Sequence, residues 1–281
     1  MLNRSKNIIG VFDSGLGGLT VLKEFLFFLP NYNYIYLGDN ARVPYGEKTQ
    51  EQIYQYTREA VDFLFNKGCR LIIIACNTAS SQALRRIQQE HLPVYWPDRK
   101  VLGVIRPLAE HVAQEVNKFG KTSAIGVIGT KATTKSGAYT TELRKLLPTA
   151  RIIVKSAPLL VPLIEEDWSE KPETTMILKK YLRSLKQGQI AALLLACTHY
   201  SFLIKKVRQF LGSRVYVPEP GVIIAKSLKD YLSKHSEINL IPDKKHTRQF
   251  FFTDANEDYR QLAQRFLKQE ISMIESANIK V

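Results

Sequence analysis

The sequence predicts a doubly wound α/β fold made of two related parallel-sheet halves, and three observations carry that expectation. Short apolar runs without polar alternation recur along the chain, as strands buried on both faces require. Segments of helical length, with an apolar period near 3.6, separate most of them, as in a sheet covered by helices on both sides. There is also an internal echo. LIIIACNT at 71–78 resembles LLLACTHY at 193–200, with the two cysteines 121 positions apart, and IGVFDSG at 9–15 resembles IGVIGTK at 125–131, offset by 116. At roughly 150 residues per domain, 281 residues accommodate two such halves.

In chain order the strand runs are 7–12, 34–37, 70–75, 100–105, 123–129, 150–154, 190–196, 214–217 and 249–253. Helical patterns fill the intervals. EQIYQYTREAVDFLFNKG at 51–68 places its apolar residues on one stripe, and SSQALRRIQQ at 80–89 follows a turn whose Asn77, Thr78 or Ser80 suits an N-cap. No low-complexity linker interrupts the chain, so a boundary between halves falls near 99–107.

Composition narrows the function classes. With 45% hydrophobic residues the chain can bury a core, which excludes disordered, collagen-like and disulfide-stapled readings. Three irregularly spaced cysteines leave at least one unpaired and fit a reducing cytosol. The longest apolar runs are far short of the ~20 residues that span a bilayer. Lys and Arg number 40 against 26 Asp and Glu, and the resulting +14 raises nucleic acid as a partner. The excess is concentrated in 105–215, with 18 basic and 8 acidic side chains, much of it on amphipathic segments such as 176–187 and 202–212. A solvated helix face accounts for such charge, and attraction of a small anionic substrate is compatible with it.

Ligands of doubly wound sheets bind beyond the carboxyl ends of the strands, so the residues just after each run are the informative ones. After the first comes a glycine-rich turn, Asp13-Ser14-Gly15-Leu16-Gly17-Gly18-Leu19-Thr20, whose N–H groups and following helix suit a carboxylate or phosphate. The second leads into Gly38-Asp39-Asn40-Ala41-Arg42-Val43-Pro44-Tyr45-Gly46. The third ends in Cys76-Asn77-Thr78, the fifth in Gly129-Thr130 with Thr133 and Thr134 beyond, and the seventh in Cys197-Thr198-His199. A thiol at a helix start is expected to have its pKa lowered from ~8.5, and holding it near neutrality takes about 2 kcal/mol. Two such thiols facing each other across a ligand could remove a proton from one side of a carbon and deliver one to the other. Buried cysteines are also ordinary packing residues, and Cys69, which precedes its strand, reads as one. For Cys76 and Cys197 the repeated context and the polar neighbours favour chemistry, with His199 placed to raise the thiolate fraction or bind a carboxylate.

Other motifs are incomplete. The turn from Gly15 has Thr20 where a dinucleotide fingerprint needs its third glycine, although Asp39 lies near the expected ribose-binding acid. Gly120-Lys121-Thr122 precedes a strand instead of following one, with Glu115 at the place of the first phosphate-loop glycine. There is no G-x-S-x-G elbow, and no CxxC or HExxH spacing, so no metal is expected.

The quoted motifs, DSGLGGLT, VPYG, ACNTA, IGTKATTKSGAY and CTHY in this order, resemble those of the cofactor-independent glutamate racemases of the aspartate/glutamate racemase superfamily. The resemblance spans most of the chain. It implies two pseudo-symmetric flavodoxin-like domains, 1–104 plus 216–281 and an inserted 105–215, with the active site in the cleft between them. It implies Cys76 and Cys197 as the acid/base thiols, with Asp13 assisting Cys76, and Glu165 and His199 assisting Cys197. Asp13, Ser14, Tyr45, Gly46, Asn77, Thr78, Thr130, Thr133, Thr198 and His199 would bind the carboxylates and ammonium of glutamate. No cofactor is implied. The expected activity is interconversion of L- and D-glutamate in the cytoplasm for peptidoglycan synthesis, by a protein that allows a homodimer and engages neither membrane nor nucleic acid. A relative acting on aspartate or another acid is the nearest alternative, and a basic nucleic-acid-binding α/β protein is the alternative from another class. The segment 94–100 is longer than the family pattern, and Arg106-Pro107-Leu108 and Pro218-Glu219-Pro220-Gly221 also depart from it, all outside the motifs.

Overall fold

A computed structural model describes residues 7–118 and 124–279. Nine strands run in chain order: β1 (Ile8–Asp13), β2 (Asn33–Gly38), β3 (Cys69–Ile74), β4 (Lys100–Gly103), β5 (Ala124–Gly129), β6 (Ile152–Ser156), β7 (Ile190–Ala196), β8 (Arg248–Phe252) and β9 (Glu275–Ser276). They form two sheets, β4-β3-β1-β2-β8-β9 and β6-β5-β7, and every pairing between these strands is parallel. All six residues of β1 and all six of β5 are buried, as expected of central strands covered on both faces.

The two sheets share a strand order. β2, β1 and β3 lie side by side as β6, β5 and β7 do, so β1 matches β5 and β3 matches β7. This is the flavodoxin-type order, in which the chain leaves the central strand to one side and returns on the other. Each sheet therefore has a switch point, between β1 and β3 in one and between β5 and β7 in the other. The echo between 71–78 and 193–200 marks the two strands that close these crevices.

Helices supply the outer layers. Gln50–Asn66 begins with a capping box, in which Thr49 Oγ1 accepts from Gln52 N–H (3.3 Å) and Gln52 Oε1 accepts from Thr49 N–H (3.1 Å). Its buried stripe, Ile53, Ala60, Val61, Leu64 and Phe65, packs on the sheet, each large apolar side chain contributing about 1.5–3 kcal/mol on burial. Helix Pro220–Lys234 lies against both Leu19–Phe28 and Ile105–Lys118, tying the two sheets' helical layers together.

Two expectations need correction. The run at 214–217 forms only an isolated bridge, Tyr216 to Ala192, because Pro218 and the helix from Pro220 end its pairing. The helix expected from 80 begins at Asn77, breaks at Ala83 and passes through a π-turn at Ile87–His91. The two-residue β9, too short to leave a hydrophobic pattern, was not expected. Gly120-Lys121-Thr122 lies outside the described residues.

Candidate active site

The two switch points bring the strand-end residues together. Cys76 follows β3 and is itself the N-cap of helix Asn77–Gln82, a position expected for Asn77, Thr78 or Ser80. Its Sγ accepts from Ala79 N–H (3.4 Å) and lies 3.3 Å from Ser14 Oγ at the end of β1. Cys76 is only 6% exposed. That burial pushes the thiol up to about 12, with the Asp13 carboxylate adding to the rise and the Ser14 and Ala79 hydrogen bonds opposing it. The lowered pKa expected from the helix start is thus overturned: loss of water outweighs the dipole, and Cys76 rests as a thiol.

Asp13 is 1% exposed. Its Oδ1 accepts from Gly15 N–H (2.9 Å) and its Oδ2 from Thr198 Oγ1 (3.5 Å), so the glycine-rich turn donates to the protein's own carboxylate. Burial raises the Asp13 pKa, while His199 and the Gly15 and Gly18 N–H groups pull it down.

On the other side, Cys197 follows β7. Its Sγ lies 3.9 Å from His199 Nδ1, and His199 Nε2 lies 2.9 Å from Glu165 Oε1. Burial works against charging His199, but Cys197 and Glu165 together lift its pKa to about 10, so the ring is an imidazolium at neutral pH, donating to both.

The remaining residues line the meeting of the two sheets. Thr78 Oγ1 lies 2.9 Å from Thr130 Oγ1 and 3.1 Å from Thr133 Oγ1, which are 3.0 Å from each other, a triangle of hydroxyls spanning both halves. A Cβ on Gly46 would come within 3.0 Å of Thr130 Cβ, so the loop after β2 abuts the same point. The Tyr45 phenol donates to buried Asp39, which also accepts from Arg42 Nε (2.8 Å), and lies within electrostatic reach of Cys76.

Two residues not singled out in the sequence are central here. A Cβ on Gly17 would stand 2.2 Å from Thr198 Oγ1 and 2.5 Å from His199 Nδ1, so only glycine lets the first turn nest against the second sheet. Tyr139, 3% exposed, donates to Asn77 Oδ1 across the sheets (2.5 Å) and lies within electrostatic reach of Cys197. With its oxygen occupied, Asn77 is left with its NH2 donors for a ligand. Tyr139 sits in the quoted motif as an aromatic at helical spacing, which reads as core. Cys69 is buried with its thiol pushed up, an inert packing residue as expected. A groove of about 1370 Å³ lies elsewhere, along Arg85, Gln88, Ile105, His111 and Lys226, and neither Cys76 nor Cys197 lines it.

The model of the Asp/Glu/hydantoin racemase family matches residues 27–222, and the chain belongs to that family. Within it, the chain stands with the glutamate racemases. It is 39% identical to the glutamate racemase of Aquifex aeolicus over 264 residues, 94% of this chain and 95% of that one. The crystal structure of the Francisella tularensis glutamate racemase in complex with D-glutamate matches with a TM-score of 0.87 and 31% identity, covering 98% of this chain and 99% of that one. A glutamate racemase isoform from Bacillus anthracis matches at 0.88 and 31%, covering 98% of each.

Proposed function

We propose that this chain interconverts L- and D-glutamate by a two-base proton transfer between Cys76 and Cys197, supplying D-glutamate for peptidoglycan synthesis in the cytoplasm. Glutamate would sit in a cleft between residues 1–104 with 216–281 and an inserted 105–215. The observation that carries the reading is that both switch-point thiols end in a buried polar network of complementary charge: Asp13 beside Cys76, the His199 imidazolium beside Cys197.

In the L-to-D direction Cys197 takes the Cα proton and Cys76, resting as a thiol, delivers its own to the opposite face. Asp13 lies close enough to Cys76 to raise its pKa, and its own raised pKa suits it to receive that proton when Cys76 must act as the base on D-glutamate. The His199 imidazolium, held by Glu165, donates toward Cys197 Sγ. Ser14, Tyr45, Gly46, Asn77, Thr78, Thr130, Thr133 and Thr198 would anchor the carboxylates and ammonium. The α-hydrogen is a very weak acid, so the developing carbanion needs donors and exclusion of water, and both thiols are 6% exposed. Polarimetry on purified protein with no added cofactor should show racemisation of glutamate and not of aspartate. Cys76→Ala and Cys197→Ala should each lower kcat by at least about 10²-fold. A folded protein that leaves the rotation of L-glutamate unchanged contradicts the proposal.

A further inference from the structure

We propose that Arg265 is a positioning residue for the Cys197 side of the reaction: it fastens the chain segment carrying Glu165, and through Glu165 sets the His199 imidazolium against Cys197. The inference rests on the reading of Glu165 and His199 given above.

Glu165 is the last residue of the short helix Leu160–Glu165, and its side chain, a third exposed, reaches His199 Nε2 through Oε1. Its backbone is fixed twice. After the helix the chain turns back through Asp167 in the left-handed region (φ 61°), with Trp168 N–H donating to Leu163 O (2.8 Å) and Asp167 N–H to Ile164 O (3.2 Å). This is the Schellman closure, made here with a non-glycine residue at the left-handed position. The second fastening comes from far along the chain. Arg265 Nη2 donates to Ile164 O and Glu165 O, both at 3.1 Å, and Arg265 Nη1 pairs with Asp167 Oδ1 at 2.9 Å. One guanidinium thereby gathers the carbonyls at the helix end and the carboxylate of the turning residue, a planar multi-point grip that an ammonium cannot reproduce.

Arg265 belongs to helix Glu257–Leu267, which leads from β8 to β9 in the six-stranded sheet, whereas Glu165 and His199 follow β6 and β7 of the three-stranded one. The next residue, Phe266, packs in a T-shaped arrangement with the His199 ring (5.5 Å between centroids, 76° between planes). The same helix turn therefore holds Glu165 by its backbone and His199 by its ring. The clamp exists only while the two sheets are together, so the Cys197 machinery is set when the cleft is assembled.

The two enantiomers have equal free energy, so any variant changes kcat/KM equally in both directions; the side of the lesion is read from primary isotope effects with α-deuterated L- and D-glutamate. Arg265→Gln should lower kcat/KM about tenfold, as loss of a positioning hydrogen-bond donor does. Its isotope effect should rise for L-glutamate, where Cys197 removes the deuteron, and fall for D-glutamate, where Cys197 acts second. Arg265→Lys should lie between Arg265→Gln and wild type. Asp167→Asn, which removes only the ion pair, should stay within about twofold of wild type, because an exposed pair contributes little. Glu165→Gln should reproduce the Arg265→Gln isotope pattern. A folded Arg265→Gln with unchanged isotope effects, or with both rising together, overturns the proposal, as does an Asp167→Asn that matches it. If Glu165→Gln itself leaves the L-glutamate isotope effect unchanged, the role of Glu165 falls first and the clamp with it.

Discussion

Cys76 shows how two effects at one residue are ranked. A helix start and two hydrogen bonds favour its thiolate, yet a 6% exposed sulfur beside Asp13 has its pKa pushed to about 12. Position after a strand was legible in the sequence; the degree of burial, which decides the sign, was not, because it depends on the second sheet. The same holds for Tyr139, whose partner Asn77 is 62 positions away. Tyr139→Phe should leave the Asn77 oxygen unpaired, lowering stability by about 1–3 kcal/mol in urea denaturation and raising KM for glutamate more than it lowers kcat. His199 gives a pH prediction. Its folded pKa, about 10 against an ordinary 6.5, means that the stability its imidazolium supplies beside Cys197, Glu165 and Asp13 is complete below about 6.5 and lost as pH rises through 10. The urea midpoint should fall between pH 7 and 10, and the fall should be shallower in His199→Asn.

At the scale of elements, the strand-end turns were readable because a switch from continuous apolar residues to Asp-Ser-Gly or Cys-Asn-Thr is a local signal. What those turns pack against was not. The glycine-rich turn was legible as an anion cradle, but its Gly17 serves as a clearance for Thr198 and His199, on the opposite sheet. Gly17→Ala should therefore cost about 1–3 kcal/mol of stability by overpacking and lower kcat/KM by displacing His199, with kcat falling and far-UV circular dichroism retained. The run at 214–217 misled for the converse reason: β-branched and aromatic residues alone do not make a strand when a proline two positions beyond the bridge ends it.

Across the whole molecule the repeated strand order places Asp13 and Cys76 at one switch point and Thr130 and Cys197 at the other, and Tyr139–Asn77, the threonine triangle and Arg265 stitch the two together. No helix among the described residues is long and apolar enough to cross a membrane. The basic excess of 105–215 lies partly on helices Pro172–Gln187 and Ile204–Leu211, whose Leu178, Leu182, Leu185, Val207 and Leu211 are buried while Lys179, Lys180, Arg183, Lys186, Lys205 and Arg208 are exposed, as a solvated face requires. The most direct test of two opposed bases is racemisation of L-glutamate in deuterium oxide, sampled at early times by mass spectrometry of the separated enantiomers. D-glutamate should carry one deuterium at Cα while the remaining L-glutamate stays unlabelled. Product that keeps its original hydrogen, or an L-glutamate pool that gains deuterium as fast as D-glutamate forms, would contradict two opposed bases.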